Sequence, residues 1–225
     1  MDTARTALVT GANRGLGLAT CALLRERGYR VILTARDGDL AAKAAAELGA
    51  EALALDVTDA ASVTSAAAAA GPVDILVNNA GVLLTAGQQP GTADLAGVER
   101  ELAVNALGAW RVSQAFLPGM LARGWGRVVM VSSGTGTFHN GLFGGTPGYS
   151  LSKLALNGIT TMLAGATEGR GVLVNAVNPG LVRTRMRPEA QRPPEEAAED
   201  VVAAATLPPD GPTGTLLRHG KSIPW

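Results

Sequence analysis

Short, nearly unbroken apolar runs recur at Thr6 to Thr10, Val31 to Thr34, Ala52 to Leu55, Val73 to Val77, Arg127 to Ser132 and Val172 to Val177. Longer Ala- and Leu-rich stretches fill every gap between them. The short runs do not alternate apolar with polar positions, which is the pattern of strands covered by helices on both faces. It predicts an α/β fold with a doubly wound parallel sheet. A further strand is predicted over Gly214 to Leu217, ahead of the tail that ends at Trp225. The alanine-rich run Ala60 to Ala70 reads as a helix, because Asp59 offers an N-cap and Gly71-Pro72 a stop. Between Arg183 and Glu196 the pattern fails: Pro188, Pro193, Pro194 and several charges predict a mobile loop.

The chain has 225 residues, enough for one large α/β domain and too few for two ordinary ones, so residues 1–225 are read as a single domain. Its 19 basic and 19 acidic residues cancel, which leaves no long-range field to gather nucleic acid or an anionic membrane surface. The N-terminal residues run straight into a strand, and no apolar run approaches the ~20 residues that span a bilayer. A cytoplasmic protein is expected. The single cysteine, Cys21, is expected to be a packing residue, and two histidines are too few for a histidine-rich metal site, so no metal is expected.

The first strand runs into Thr10-Gly11-Ala12-Asn13-Arg14-Gly15-Leu16-Gly17, which opens a helix. Gly11 permits a tight exit from the strand, while Gly15 and Gly17 allow close approach of a pyrophosphate and close packing of the helix on the sheet. The helix N-terminus adds free N–H donors, so the context predicts Rossmann-like dinucleotide binding. At the end of the second strand an acidic residue would hold the ribose hydroxyls of NAD, whereas a basic one pairs with the 2′-phosphate of NADP. Arg36 stands there and Arg14 can reach the same phosphate, which favours NADPH/NADP+. Asp37, one position later, leaves NAD as the alternative.

Tyr149 and Lys153 are four residues apart on a predicted helix that runs to Ala164, so phenol and ammonium share a face. A nearby cation is expected to lower the phenol's pKa and fit it for acid/base work. Val131-Ser132-Ser133-Gly134 closes the fifth strand at the edge where α/β sheets bind ligands, and a serine there can hold a substrate oxygen against the phenol.

The ordered set formed by the glycine loop, Asn78-Asn79-Ala80-Gly81, Asn105, Ser133 and the Tyr149/Lys153 pair resembles the short-chain dehydrogenase/reductases over nearly the whole chain. Asp56-Val57 and Asn178-Pro179-Gly180-Leu181-Val182-Arg183-Thr184 agree with that resemblance. It implies Tyr149 as acid/base, Ser133 as the group positioning the carbonyl oxygen, Lys153 on the nicotinamide ribose, and Asn105 holding a proton-relaying water. It also implies that Asp56 and Val57 contact adenine, that Asn79, Ala80 and Gly81 line the cofactor, and that Pro179, Gly180, Val182 and Thr184 fix the nicotinamide. The spacing from Ser133 to Tyr149 is longer than usual for the family, so Ser132 stays a second candidate. The Leu-Thr-Ala-Arg phrase after the second strand, with Asn13-Arg14, looks like the NADPH-using carbonyl reductases.

The implied activity is hydride transfer between NADPH and a ketone, aldehyde or secondary alcohol, with the same scaffold turned to a non-redox step, or to non-catalytic NADPH binding, as alternatives. Phe138, Leu142, Phe143, Met186 and Trp225 are expected to shape an apolar substrate pocket, with His139 nearby, while Arg183, Arg185 and Arg187 read as solvated loop charges, with a clamp on an anionic substrate as the alternative. Trp110 and Trp125 are expected to be packing residues. The resemblance further implies a homodimer or homotetramer through the two long helices near Asn105 and Tyr149, where small Ala155, Gly158, Ala164 and Gly165 permit close approach.

Overall fold

A computed structural model describes residues 4–139 and 141–225. Its strands are β1 (Thr6–Val9), β2 (Arg30–Ala35), β3 (Glu51–Ala54), β4 (Ile75–Asn78), β5 (Gly126–Val131), β6 (Val172–Val177), β7 (Leu216–Arg218) and β8 (Lys221–Ile223). Its helices are α1 (Gly15–Glu26), α2 (Gly38–Leu48), α3 (Ala60–Ala70), α4 (Leu95–Leu102), α5 (Ala109–Arg123), α6 (Pro147–Ala166) and α7 (Pro194–Ala205). A π-helical segment, Ala103–Gly108, joins α4 to α5.

The eight strands form one Rossmann-like sheet in the order β3-β2-β1-β4-β5-β6-β7-β8, parallel throughout except for β8. Successive residues of the central strands feed two separate apolar layers. Leu8, Ile32, Leu76 and Val128 face the layer under α3, α5 and α6, and Val9, Leu33, Val77 and Val129 face the layer under α1, α2 and α7. Both faces are covered, so the strands carry no polar alternation. The chain moves outward from β1 to β3 and then returns to β4 beside β1, which opens a crevice at the C-terminal strand ends.

Local chemistry sets the element ends. Asp37, Asp59 and Asp94 cap α2, α3 and α4 with their carboxylates, and Gly49 closes α2 in the left-handed region. Cys21 is fully buried in α1, and burial pushes its thiol well above the ordinary range. Trp110 and Trp125 pack against the two apolar layers, as expected.

The structure departs from the sequence reading in three places. The Arg183 to Glu196 stretch is tied down rather than a free loop: Val182 bridges Arg192, Thr184 pairs with Arg187, and α7 starts at Pro194, because a proline at the first helical turn initiates instead of breaking. The last predicted strand starts at Leu216, since Gly214 lies at φ +69° outside it. The antiparallel β8 was not foreseen; its three residues are short and mostly polar. Among the described residues no helix is long and apolar enough to cross a membrane.

Candidate active site

The loops that follow β1, β4, β5 and β6 meet around a cleft of about 970 Å³. Every residue expected to bind cofactor lies on its wall, as do Ser132, Ser133, Tyr149 and Lys153. Asn105 does not.

At the glycine loop, Gly11 and Gly15 take φ of +62° and +55°, which side chains rarely adopt. A Cβ on Gly17 would stand 2.5 Å from Asn79 Nδ2 and 2.9 Å from the Gly11 carbonyl. The loop is clamped to β4 from both directions: Asn79 Nδ2 donates to the Thr10 and Gly11 carbonyls, and Thr10 Oγ1 accepts from the Asn79 and Ala80 N–H groups. Among the described residues no side chain caps the N-terminus of α1, where Arg14 is the N-cap, and no acidic residue stands in its first turn. A backbone cradle with uncapped helical N–H groups fits a dinucleotide pyrophosphate.

At the other end of the crevice Arg36 is exposed on the wall beside Asp56. The Thr58 hydroxyl, above all, holds the Asp56 carboxyl below the usual range against the opposing effect of burial, with help from the Thr58 N–H, Arg36 and Arg111. Arg111 also donates to the Val57 carbonyl at 2.7 Å. Asp37, the alternative ribose ligand, accepts from the Asp39 and Leu40 N–H groups through Oδ1 as the N-cap of α2.

The chemical end is built on α6. Lys153 is buried, and Nζ donates to the Val131 carbonyl at 2.7 Å and stands 5.4 Å from the Tyr149 ring centroid. Burial lowers the Lys153 pKa to about 8. The expected depression of the Tyr149 pKa by Lys153 is not found. Burial pushes the phenol up to about 12, with the Arg187 charge pulling it down and the Glu101 charge pushing it up. The correction has a simple origin: the phenol is itself desolvated, and the ammonium is turned toward a backbone carbonyl.

The two serines differ in what they hold. Ser132 is buried and donates to Asn157 Oδ1 at 2.5 Å, and Asn157 Nδ2 donates to the Gly136 carbonyl. Ser133 is half-buried and accepts from Thr135 N and Oγ1 at 3.2 and 3.1 Å. Asn105 sits inside the π segment: its Nδ2 donates to the Val82 carbonyl and Ser152 Oγ, and its Oδ1 accepts from Val82 N. Its side chain thereby pins the loop after β4.

Two polar clusters escaped the sequence reading. Glu101 is fully buried and accepts from Leu84 N, Thr85 N and Thr85 Oγ1, while Thr85 Oγ1 accepts from Gly148 N, next to Tyr149. Arg192 donates to the Pro179 carbonyl at 2.6 Å and to Asp200 Oδ2 at 2.8 Å, which fixes the loop after β6. A charged residue at a core position of the amphipathic α4 was the available signal for Glu101; nothing in sequence spacing marks Arg192.

Of the residues expected to shape an apolar pocket, only Met186 is on the cleft wall. Phe138, Leu142 and Phe143 are exposed outside it, and Trp225 packs on an apolar layer beneath the sheet. His139 is exposed and donates its backbone N–H to the Trp225 carbonyl. Arg183, Arg185 and Arg187 do line the cleft. Among the described residues no group of three His, Cys, Asp or Glu side chains could hold a metal ion.

Residues 5–195 match the family model described as short chain dehydrogenase. The chain is 36% identical over 233 aligned positions to oxidoreductase UcpA of Salmonella typhimurium, covering 99% of this chain and 81% of that protein. It is 41% identical to galactitol 2-dehydrogenase (L-tagatose-forming) of Cereibacter sphaeroides, over 84% of this chain and 76% of that one. Among solved structures, an NADPH-bound carbonyl reductase from chicken fatty liver superposes with a TM-score of 0.86 at 26% identity, covering 99% of both chains.

Proposed function

This chain belongs to the short-chain dehydrogenase family of nicotinamide-dependent oxidoreductases, and within that family we propose that it is an NADPH-dependent reductase of ketones or aldehydes, acting as one dinucleotide-binding and catalytic domain. The observation that carries the reading is the meeting of Ser133, Tyr149 and Lys153 on the same cleft wall as the glycine loop.

A nicotinamide cofactor with its pyrophosphate on that loop would supply the hydride that the carbonyl carbon accepts. Ser133 Oγ accepts within its own turn and has its proton free to donate to the carbonyl oxygen, whereas the Ser132 proton is committed to Asn157. Tyr149 delivers the proton as charge develops on that oxygen. A phenol whose pKa stands at about 12 remains protonated at neutral pH and has the proton that the developing alkoxide takes. Lys153 holds the nicotinamide ribose, and Asn105 keeps the Val82 loop and the water that returns a proton to Tyr149 in place. NADPH over NADH is supported by Arg36 and Arg14 on the cleft wall, by the capping duty of Asp37, and by the NADPH-bound neighbour. Pairing of two copies through α5 and α6 is supported by exposed Leu107, Leu151 and Met162 and by the exposed, small Gly158 and Gly165, whereas Ala164 is buried in the core.

The test is calorimetry with NADPH and NADH on the wild type, Arg36→Ala and Tyr149→Phe. NADPH should bind at least about tenfold tighter than NADH, a preference that Arg36→Ala removes. Tyr149→Phe should bind NADPH as the wild type does and turn over no carbonyl compound. Equal affinity for both cofactors, or turnover by the phenylalanine variant, refutes the reading.

A further inference from the structure

The protein as a whole carries no net charge, yet the substrate end of its cleft is cationic. Arg100 of α4, Lys153 of α6 and the row Arg183, Arg185 and Arg187 after β6 all lie on that wall. The carboxylates on the wall, Asp37 and Asp56, stand at the adenosine end beside Arg36. Glu101, the buried acid nearest in sequence to Arg100, does not line the cleft; both its oxygens are taken by Leu84 and Thr85. Among the described residues Arg100, Arg183 and Arg185 form no ion pair, and Arg187 has only Glu189 at 3.5 Å.

Arg187 is also the best-placed of the set. The segment Thr184–Arg187 closes on itself, with Thr184 N and Arg187 N donating to each other's carbonyls at 3.4 and 3.1 Å, and Met186 N donating to Thr184 Oγ1. This turn packs against the glycine loop, where a Cβ on Gly15 would stand 3.2 Å from Thr184 Cγ2. The turn is therefore held in place, and the half-buried Arg187 with it. Its charge acts on the Tyr149 phenol.

Resting on the reductase reading above, we propose that the substrate is an oxo-acid: a carbonyl compound whose own carboxylate is held by Arg187, with Arg100 a further cation on the same cleft wall. A guanidinium takes a carboxylate through two parallel donors, which orients the neighbouring carbonyl as well as binding it. Among the described residues Tyr149 is the one aromatic side chain on the cleft wall, and Phe138, Leu142 and Phe143 lie outside it, so a bulky aromatic ketone finds no stacking partner beyond the phenol itself. The cofactor's phosphates are served elsewhere, by the glycine loop and by Arg14 and Arg36.

The experiment uses 2-oxopentanoate, 3-oxohexanoate and 4-oxopentanoate, each with its methyl ester. Binding is read by saturation-transfer NMR on protein loaded with an oxidised nicotinamide cofactor, so that no hydride transfer is needed. At least one acid should bind about tenfold or more tightly than its ester, a preference that fades at high salt and is lost in Arg187→Gln. Equal binding of acid and ester, a preference that survives in Arg187→Gln, or no binding of any of the six overturns the proposal. Reduction by NADPH is followed separately. An acid that binds through Arg187 and is never reduced leaves the anion site standing and removes the reductase assignment instead.

Discussion

Lys153→Met should make the protein more stable and inactive. The side chain is 4% exposed, and the partner of its ammonium is the Val131 carbonyl, a dipole and not a charge. Burial takes its pKa from 10.5 to about 8. At ~1.4 kcal/mol for each tenfold change in proton affinity, holding the proton there costs the folded state about 3 kcal/mol. Methionine keeps the linear stem and gives up one hydrogen bond, worth about 1 kcal/mol net. The variant should therefore gain roughly 2 kcal/mol near neutral pH. The sign reverses with pH in a defined window. Below about pH 8 the folded and unfolded chains both carry the ammonium and the penalty is full. Between about 8 and 10.5 the unfolded chain binds the extra proton, so wild-type stability rises with pH while the methionine variant does not follow it. Urea unfolding of both proteins at the two ends of that window reads the gap directly. A variant less stable than wild type at neutral pH, or a gap independent of pH, refutes the reasoning. Gained stability with lost turnover would mark Lys153 as a group kept for chemistry at the expense of the fold.

Gly17→Ala should weaken NADPH binding by about tenfold or more in calorimetry, because its Cβ cannot fit against Asn79 Nδ2 and the Gly11 carbonyl without opening the loop; unchanged affinity would refute the packing role. Glu101→Ala should cost roughly 3 kcal/mol or more in urea unfolding by stranding the Leu84 and Thr85 donors. Glu101→Gln, which retains the volume, should move the alkaline limb of the reduction rate to lower pH, since the Glu101 charge raises the Tyr149 pKa and reduction requires the protonated phenol. A limb that stays in place would show that Glu101 holds the loop without acting on the phenol.

The sheet and most of the cleft wall were legible in the sequence because both follow from short-range chemistry. Strands buried on two faces read as unbroken apolar runs, Asp59 and Gly71 announce the ends of α3, and a glycine loop between β1 and α1 has few other uses. Other features depend on what tertiary packing brings near. The Tyr149 pKa is set by burial, which spacing to Lys153 cannot report. The apolar pocket anticipated from Phe138, Leu142 and Phe143 failed because a residue's presence in a loop does not say which way the loop faces. Glu101 and Arg192 act through partners 16 and 13 positions away that no local pattern links to them. Pro193 and Pro194 looked like breakers, yet proline also starts helices.

The π-helical segment Ala103–Gly108 sets a constraint of a different kind. Such a bulge carries a surplus residue relative to the α-helical repeat, and each residue of an α-helix rotates the face by roughly 100°. The faces of α4 and α5 are out of phase by that amount. Glu101 on one side can point at Thr85 while Phe116 on the other packs into the sheet layer. Deleting a single residue between 103 and 108 would let the helix run on with better local hydrogen bonding, and would rotate one of those two side chains off its target. Here the architecture is encoded as a count, the number of residues between Glu101 and Phe116.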